Sequence, residues 1–300
     1  MQVTDGLVKK FPNRVHDFPP DETTLVGAGV GFSQAGLLPI VEIPYAKYLD
    51  CGADMFFEAV LAHWLTNGRQ PNGMMVRLQG FGDGVFGGNF HTHNSLHIPP
   101  GLDVVCYSNG RDYARGFRYG MRQAKAGRVV MSVDSTNLLN LRHLHGSDLG
   151  RMQAFTGGDE EMDWDTVRTH NDVAPGVGTN RLAIVTYGNG VVTSLQAQKL
   201  LEDNHGIDDV VVIDSPYLST PPAQLRELLP GFDAVVFADV CKDGQHPFAG
   251  FITKLHSWGE LPAAWRCVAA QPTYNPLGHR LTFVSADDIV GASLSVLGKQ

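Results

Sequence analysis

Long apolar runs are missing from this 300-residue sequence, and none approaches the ~20 residues that a membrane-spanning helix requires. The N-terminal stretch MQVTDGLVKKFPNR also lacks the apolar centre of a secretory signal. We therefore expect a cytoplasmic protein that has no membrane partner.

Positive charge is scarce as well. The chain has 23 Lys and Arg residues against 31 Asp and Glu residues, which gives a formal net charge of −8. Nucleic acids and anionic membranes attract clustered Lys and Arg, and the sequence shows no such cluster. We expect no nucleic-acid partner, so small molecules and other proteins remain as candidate ligands.

Cysteine is rare and widely spaced. The four cysteines, Cys51, Cys106, Cys241 and Cys267, form no C-x-x-C pair, which disfavours a zinc or redox motif. Most of them lie in apolar segments, and we predict reduced thiols in the core.

Short apolar runs alternate with longer helical patterns along the chain. This alternation predicts βαβ units and a mostly parallel sheet, and hence an α/β fold. The predicted strands are Leu38–Ile43, Met74–Leu78, Asp103–Tyr107, Val129–Val133, Leu182–Tyr187, Val210–Asp214, Ala234–Ala238 and Trp265–Ala269. The predicted helices are Thr23–Gly36, Pro44–Thr66, Arg111–Ala126, Val191–Glu202, Pro221–Leu228, Phe248–Ser257 and Ser285–Val296.

A change in amino-acid composition divides the chain into two parts. Between about 146 and 180 the sequence becomes acidic and contains Gly and Pro, as in GGDEEMDWD and VAPGVG. A cluster of acids can bind a cation, but a solvated connection is the simpler interpretation. We predict one domain over residues 1–145, a linker over residues 146–180 and a second domain over residues 181–300.

The stretch Met74–Pro100 stands out because a glycine-rich loop leads into three histidines. Gly82, Gly84 and Gly87 match G-x-G-x-x-G, but no helical pattern follows, so a dinucleotide site is disfavoured. The histidines, His91, His93 and His97, could ligate a metal, could include one catalytic residue, or could make polar contacts without chemistry. Glycine-rich loops of this kind bring backbone close to a ligand, so we place the active site here.

Two carboxylates near predicted helix and strand ends could have either a structural or a catalytic role. Glu22 follows Pro19-Pro20-Asp21 at the start of a helix, where a negative charge interacts favourably with the helix dipole. Glu42 follows an apolar run and has an equally ordinary explanation. From position alone, neither residue requires a catalytic role.

Several stretches together resemble the beta subunits of thiamine-diphosphate-dependent 2-oxo acid dehydrogenases. DFPPDETTLVGAGVGFSQAGLLPIVEIPYAKY is similar to that family's D-T-P-[LI]-S-E segment and the helix and strand after it. GGNFHTHNS followed by PGLDVV resembles G-G-H-Y-H-S-Q-S followed by P-G-L-x-V-V. AIVTYGNGV, VVVIDSPYLS and PTYNPLG match later elements in order, so the resemblance covers nearly the whole chain. It implies a pyrimidine-binding, transketolase-like α/β domain followed by a transketolase C-terminal-like α/β domain.

The resemblance also implies roles for three residues. Glu22 matches the carboxylate that binds the cofactor's pyrimidine nitrogen and favours the tautomer that activates the cofactor. Tyr48 matches the aromatic side chain that packs on the pyrimidine ring. His91 matches the loop histidine that faces the thiazolium and the substrate carbonyl and can donate to developing charge or to the lipoyl acceptor. On this basis Glu22 and His91 are the catalytic candidates, and Glu22 and Tyr48 are the cofactor-binding candidates.

The same comparison predicts what another chain must supply. The family's magnesium and diphosphate ligands form a G-D-G…N motif on the alpha subunit, and Gly82-Asp83-Gly84 lacks the helix and Asn that this motif needs. We expect no metal ligands in this chain, with thiamine diphosphate shared with a partner and Mg²⁺ bound by that partner. The family's first helix and strand, roughly fifty residues, are also missing ahead of Met1. The chain is thus expected to be a piece of a longer polypeptide or a reduced member of the family.

The expected function is that of the beta-type half of a 2-oxo acid dehydrogenase, which decarboxylates a 2-oxo acid and transfers the acyl group to a lipoyl group. The expected partners are an alpha-type subunit, in a dimeric or α2β2 assembly, and a lipoyl acyltransferase. Asn89, His93 and Ser215-Pro216-Tyr217 depart from the family pattern, as does ADVCKDGQHPFAGF. A non-catalytic structural or regulatory subunit, or a transketolase-like ketol transfer, therefore stays open as an alternative.

Overall fold

The computed structural model describes residues 4–70, 72–82, 94–171, 181–244, 246–275 and 281–299, together with the backbone of 87–88 and 92–93. His91, and with it one of the three expected site residues, lies outside the described residues. Within them the expected α/β class is confirmed, because two separate, mostly parallel sheets are flanked by helices.

The first half of the chain builds a four-stranded parallel sheet. Its strands are β1 (Ile40–Ile43), β2 (Met74–Gly80), β5 (Asp103–Val105) and β6 (Val129–Ser135), in the order β1-β2-β6-β5. Two very short strands, β3 (Gly87–Gly88) and β4 (Thr92–His93), pair with each other instead. The helices of this half are α1 (Leu7–Lys10), α2 (Glu22–Gln34), α3 (Ala53–Leu65) and α4 (Gly110–Lys125).

Helices cover both faces of this sheet, so its central strands are apolar along most of their length. Val76 and Leu78 of β2 pack on the side of α2 and α3, whereas Met75 packs on the side of α4. Gly29 lets α2 lie unusually close to β1, because a Cβ at this position would stand 2.6 Å from Val41 Cγ2. The absence of a side chain at Gly29 therefore permits the close packing of α2 on the sheet.

The second half builds a five-stranded sheet in the order β11-β10-β8-β9-β7. Its strands are β7 (Arg168–His170), β8 (Leu182–Thr186), β9 (Val210–Asp214), β10 (Ala234–Lys242) and β11 (Ala264–Ala270). Its helices are α5 (Gly190–His205), α6 (Ala223–Leu228), α7 (Pro247–Trp258) and α8 (Ala286–Val296). Helix α8 begins with a capping box, since the Ser285 side chain accepts from the Asp288 N–H and the Asp288 carboxylate accepts from the Ser285 N–H.

Two local features differ from the sequence-based expectations. The helix expected over Pro44–Thr66 is broken, because a 3-10 helix over Ala46–Gly52 precedes α3. The expected linker over residues 146–180 contributes β7, which pairs antiparallel with β9 at the edge of the second sheet. Three polar or β-branched residues form β7, and this run is too short for periodicity to identify as a strand.

The cysteine prediction is confirmed in part. All four cysteines are free, and Cys106 and Cys241 are buried. Cys51 is exposed, so its expected place in the core is wrong. It lies on the 3-10 helix, where its backbone carbonyl accepts a hydrogen bond from Thr23 Oγ1.

A strand-like contact joins the two halves. The Cys106 N–H donates to the Pro216 carbonyl at 2.8 Å, and the Leu218 N–H donates to the Val104 carbonyl at 2.9 Å. Val105 and Tyr217 form an antiparallel bridge between these two hydrogen bonds. One apolar core consequently runs through both halves, from α2 and α3 to α6 and α7.

A buried carboxylate lies at the end of this contact. Ser108 Oγ donates to Asp214 Oδ2 at 2.5 Å, and Arg151 binds the Ser108 carbonyl. Burial raises the pKa of Asp214 to about 7, although the Ser108 hydrogen bond and the charges of Arg151 and Arg168 act in the opposite direction. Folding therefore favours the protonated form of this carboxyl group.

The charge state of Asp214 predicts how stability depends on pH. Between about pH 4 and pH 7 the unfolded chain loses this proton while the folded chain keeps it, so the free energy of unfolding should fall as pH rises. Asp214→Asn can still accept from Ser108 and should remove up to about 1.4 kcal/mol per pH unit of this fall. Urea denaturation at about pH 5 and pH 8 measures the difference, with Asp208→Asn at an exposed position as the control. An unchanged pH dependence in Asp214→Asn would contradict the assignment.

Candidate active site

The start of α2 is fixed against the 3-10 helix Ala46–Gly52. Thr23 Oγ1 donates to the Cys51 carbonyl at 2.7 Å. A Cβ at Gly52 would stand 2.8 Å from the carbonyl oxygen of Glu22, so only glycine fits without displacing one of the two segments. Glu22 is the first residue of α2 and is partly exposed, which leaves its carboxylate accessible at the positive end of the helix.

Tyr48 belongs to that same 3-10 helix. It is half-buried against the main core, and the Tyr45 ring meets it edge to face at a centroid distance of 5.8 Å. The Thr23 side-chain hydrogen bond and the close backbone contact at Gly52 thus join the two elements that carry Glu22 and Tyr48. An aromatic ring and a carboxylate on adjoining rigid elements are suited to holding a flat heterocycle with a ring nitrogen.

The segment that contains His91 is held at both flanks by the second half of the chain. On one side, Asn189 Nδ2 donates to the Phe81 carbonyl at 3.2 Å, and the Phe81 ring packs against Tyr187. On the other side, Asn94 Nδ2 donates to the Val240 carbonyl at 3.0 Å, and the Lys242 N–H donates to the Asn94 carbonyl at 2.8 Å. Residues on both sides of the loop are therefore positioned by the carboxyl ends of β8 and β10.

The backbone of Phe81 is strained. Its φ of 55° is uncommon for a bulky side chain, and the ring is almost fully buried. Such strain persists only where surrounding contacts impose it, and it is frequent at functional sites. The Asn189 hydrogen bond and the Tyr187 ring provide those contacts here.

Gly188 allows the two halves to approach each other at this point. Its φ is +54°, and a Cβ there would stand 2.6 Å from Cys106 Sγ and 2.7 Å from Ser135 Oγ. The neighbouring Asn189 N–H donates a hydrogen bond to Ser135 Oγ at 3.3 Å. The Y-G-N-G turn after β8 is thus pressed against the carboxyl end of the first sheet.

A cavity of about 540 Å³ lies between the halves. The 3-10 helix, α3 and the carboxyl ends of β2 and β6 form most of its wall, and the second half contributes Gly244 and His246. His97 lines it as well and packs edge to face on Phe57, with ring centroids 5.7 Å apart. Neither Glu22 nor Tyr48 lines this cavity, although Ala46, on the 3-10 helix that carries Tyr48, does.

His246 was not among the sequence-derived candidates. Its side chain is 6% exposed, and its Nδ1 lies 3.2 Å from Asp239 Oδ2. Burial opposes protonation, but Asp239 and Asp243 outweigh it and raise the pKa of His246. The only signal in the sequence was that the segment ADVCKDGQHPFAGF departs from the family pattern.

Metal binding has no candidate within the described ranges. No three side chains of His, Cys, Asp or Glu stand together there in an arrangement that could hold an ion. The side chain of His93 lies outside these ranges, as does His91, so the hypothesis of a histidine metal site is untested.

The described residues also contain no helix long and apolar enough to cross a bilayer.

Comparison with known proteins identifies relatives of both halves. Residues 1–139 match the family described as the transketolase pyrimidine-binding domain. The chain is 37% identical over 93 residues to the 2-oxoisovalerate dehydrogenase subunit beta of Pseudomonas aeruginosa, which covers 30% of this chain and 26% of that protein. It is 29% identical over 205 residues to the mitochondrial pyruvate dehydrogenase E1 component subunit beta of Caenorhabditis elegans, which covers 67% and 54%.

A further relative is the acetoin:2,6-dichlorophenolindophenol oxidoreductase subunit beta of Cupriavidus necator, at 31% identity over 114 residues, 37% of this chain and 33% of that protein. The matches thus span between about a quarter and about half of the length of these curated relatives. Among solved structures, the chain shares its fold with one described as "Split gene transketolase, inactive beta4 tetramer". The TM-score is 0.61 at 18% identity, with 98% of this chain and 87% of that chain covered.

The tight contact at Gly52 predicts the effect of adding one methyl group. Gly52→Ala should force α2 and the 3-10 helix apart and destabilise the fold by about 1–3 kcal/mol. Gly31→Ala, in helix α2 on the other side of this contact, adds a Cβ that meets nothing within 4 Å and should be neutral or stabilising by up to about 1 kcal/mol. Thermal unfolding of both variants checks the contrast, and equal stability of the two would contradict the close contact.

Proposed function

We propose that the chain is a beta-type relative of the thiamine-diphosphate-dependent 2-oxo acid dehydrogenases and that it supplies the pyrimidine-binding half of such an active site. The observation that carries this proposal is the fixed junction between Glu22 and the 3-10 helix that bears Tyr48. Its parts fit an aminopyrimidine, because the carboxylate is accessible and the aromatic ring is held by the core.

Each residue has a separate task in this proposal. Glu22 accepts a hydrogen bond from a ring nitrogen and thereby sets the proton distribution of the heterocycle. Tyr48 provides a flat apolar face that orients the ring. Thiamine diphosphate, when bound, supplies the carbon nucleophile and the electron sink for decarboxylation.

His91 completes this half of the site. It donates a proton to developing negative charge on the substrate oxygen or on the departing lipoyl sulfur. The flanks of its loop, anchored at Phe81 and Asn94 and strained at Phe81, support such a positioning task.

The overall reaction balances without a further oxidant. The bond between the carboxylate and the 2-oxo carbon breaks with loss of CO₂, and the remaining acyl unit passes to one sulfur of a lipoyl disulfide. The two electrons left by the carboxylate reduce the other sulfur to a thiol. The disulfide is therefore both the acyl acceptor and the oxidant.

The diphosphate end of the cofactor needs another chain in this proposal. An alpha-type subunit supplies the Mg²⁺ ligands, in a dimeric or α2β2 assembly, and a lipoyl acyltransferase receives the product. The curated relatives are named as beta subunits, which supports a partner of this kind.

Glu22→Gln tests the proposal in the complex with the alpha-type partner. Glutamine keeps the shape of the side chain but loses its charge, so decarboxylation of a 2-oxo acid should fall at least about 100-fold. Glu58→Gln, at an exposed position of α3, is the matched control and should keep full activity. Near-normal turnover of Glu22→Gln would refute the assignment.

Calorimetry with thiamine diphosphate and Mg²⁺ separates catalysis from a purely structural role. A catalytic subunit predicts weaker cofactor binding by the complex when Tyr48→Leu removes the flat aromatic ring. A structural or regulatory subunit predicts unchanged binding. Product analysis with sugar phosphates tests the ketol-transfer alternative in the same preparation.

A further inference from the structure

Large apolar side chains are exposed on the loop of residues 139–155, which follows β6 and the 3-10 helix Thr136–Leu138. Their exposed fractions are 37% at Leu141, 54% at Leu149, 59% at Met152 and 84% at Phe155. Single exposed apolar residues are ordinary, but a group of them marks a surface that contacts another molecule.

Backbone hydrogen bonds bring these side chains into one group. The Arg151 N–H donates to the Arg142 carbonyl at 3.1 Å, which places the flanking residues Leu141 and Met152 side by side. The Met152 N–H donates to the Leu149 carbonyl at 2.9 Å, so Leu149 belongs to the same surface. The loop therefore presents an apolar patch rather than scattered residues.

The conformation of loop 139–155 is fixed from within. The Asp148 carboxylate accepts hydrogen bonds at 2.9 Å from three backbone N–H groups, those of Leu144, His145 and Gly150. The Leu149 N–H donates to His143 Nδ1 at 3.1 Å, although Leu149 has an unfavourable φ of 54°. A surface that is already ordered loses little conformational entropy when a partner binds to it.

The loop is also attached to both halves of the chain. Arg151 binds the Ser108 carbonyl in the first half, and Leu144 packs on the core of the second half. The strand that leads into the loop is β6, and its Val133 lines the cavity between the halves. The apolar patch thus projects from the edge at which the carboxyl ends of the first sheet meet, and this is the edge that binds ligands in α/β proteins.

The charges of the loop indicate the chemistry of its partner. Asp148 is its only acidic residue, and its carboxylate is occupied by backbone donors. Arg142 is exposed, and it stands out on a chain with a formal net charge of −8. An apolar patch with a cation at its rim is complementary to an apolar surface that carries acidic side chains.

A second copy of this chain is a poorer match for the patch. Its acidic segment is already paired, because Glu160 lies 3.8 Å from Arg111 and 3.7 Å from Arg115, and Glu161 lies 2.5 Å from Arg122. Two copies that each carry a net charge of −8 also repel each other. These observations favour a different chain.

We propose that loop 139–155 is the surface on which the alpha-type chain docks, through an apolar area that carries acidic side chains. This inference rests on the proposed function, which requires a second chain to complete the site. It adds the residues that receive this chain: Met152 and Phe155 form the apolar centre of the contact, and Arg142 forms its charged rim.

Sedimentation velocity of the complex over a range of concentrations measures the affinity for the alpha-type partner. Phe155→Ser removes the most exposed ring of the loop and should weaken association at least about tenfold, because aromatic anchors carry much of the binding energy of an interface. Leu65→Ser is the matched control, since Leu65 is 77% exposed at the end of α3, and it should leave affinity unchanged. Unchanged affinity of Phe155→Ser, or an equal loss in Leu65→Ser, overturns the proposal.

Charge reversal tests the acidic character of the partner surface. Arg142→Glu should slow association at low salt by about tenfold and should weaken its dependence on salt, because rim charges mainly steer the encounter. Arg69→Glu, at another exposed position of the first half, is the control and should keep the normal rate. An unchanged or faster rate for Arg142→Glu refutes an acidic partner surface.

Sedimentation of the chain alone examines the alternative of a second copy. Self-association that Phe155→Ser abolishes, together with unchanged affinity for the alpha-type partner, assigns the loop to a second copy and overturns the proposal. Glu22→Gln should keep normal affinity for the partner. Failure of the proposed function therefore appears in turnover, whereas failure of this inference appears in association.

Discussion

The hydrogen bonds between residues 104–106 and 216–218 hold the two halves of the chain together. They tie the edge strand of the first sheet to the segment that leaves β9, and so they bring the carboxyl ends of the strands in both sheets to a common boundary. In α/β proteins ligands bind at the carboxyl ends of parallel strands. The cavity, the anchors of the histidine loop and the buried carboxylates Asp214 and Asp239 all lie along this boundary.

Buried polar groups and a close contact at Gly188 determine the arrangement in which the two halves dock. Gly188, Ser135 and Cys106 fit together with no room for another carbon atom. Burying Asp214 costs stability at neutral pH, whereas Asp239 is compensated by three donors and a histidine. A buried polar group that is satisfied in only one arrangement disfavours all others, so these residues define how the halves dock.

Local sequence patterns predicted the helices and strands whose bounds depend on neighbouring residues. The strand Val210–Asp214 has the predicted bounds, and the last helix begins within one residue of its predicted start and ends at its predicted end. The break at Gly52 was not predictable, because it depends on the approach of α2 from thirty residues away. The buried ion pairs of Arg77 with Glu42 and Asp134 also join three strands, and no periodicity indicates them.

In the candidate site, too, some residues were identified from the sequence and others only from the structure. Glu22 and Tyr48 were found through resemblance to a family, since position alone gave Glu22 an ordinary role at a helix start. His246 could not be found in that way, because its segment departs from the family pattern and its partner Asp239 becomes meaningful only when β10 and α7 are folded together. Long-range pairing of one carboxylate with one imidazole leaves no trace in local sequence.

The anchors at Phe81 and Asn94 give the docking of the halves a thermodynamic role. Both anchors end on the second half, so the two ends of the histidine loop keep their positions only while the halves stay docked. If a ligand binds through this loop, its affinity and the docking of the halves are coupled reciprocally. A substitution at the docking surface, far from Glu22 and Tyr48, would then change that affinity.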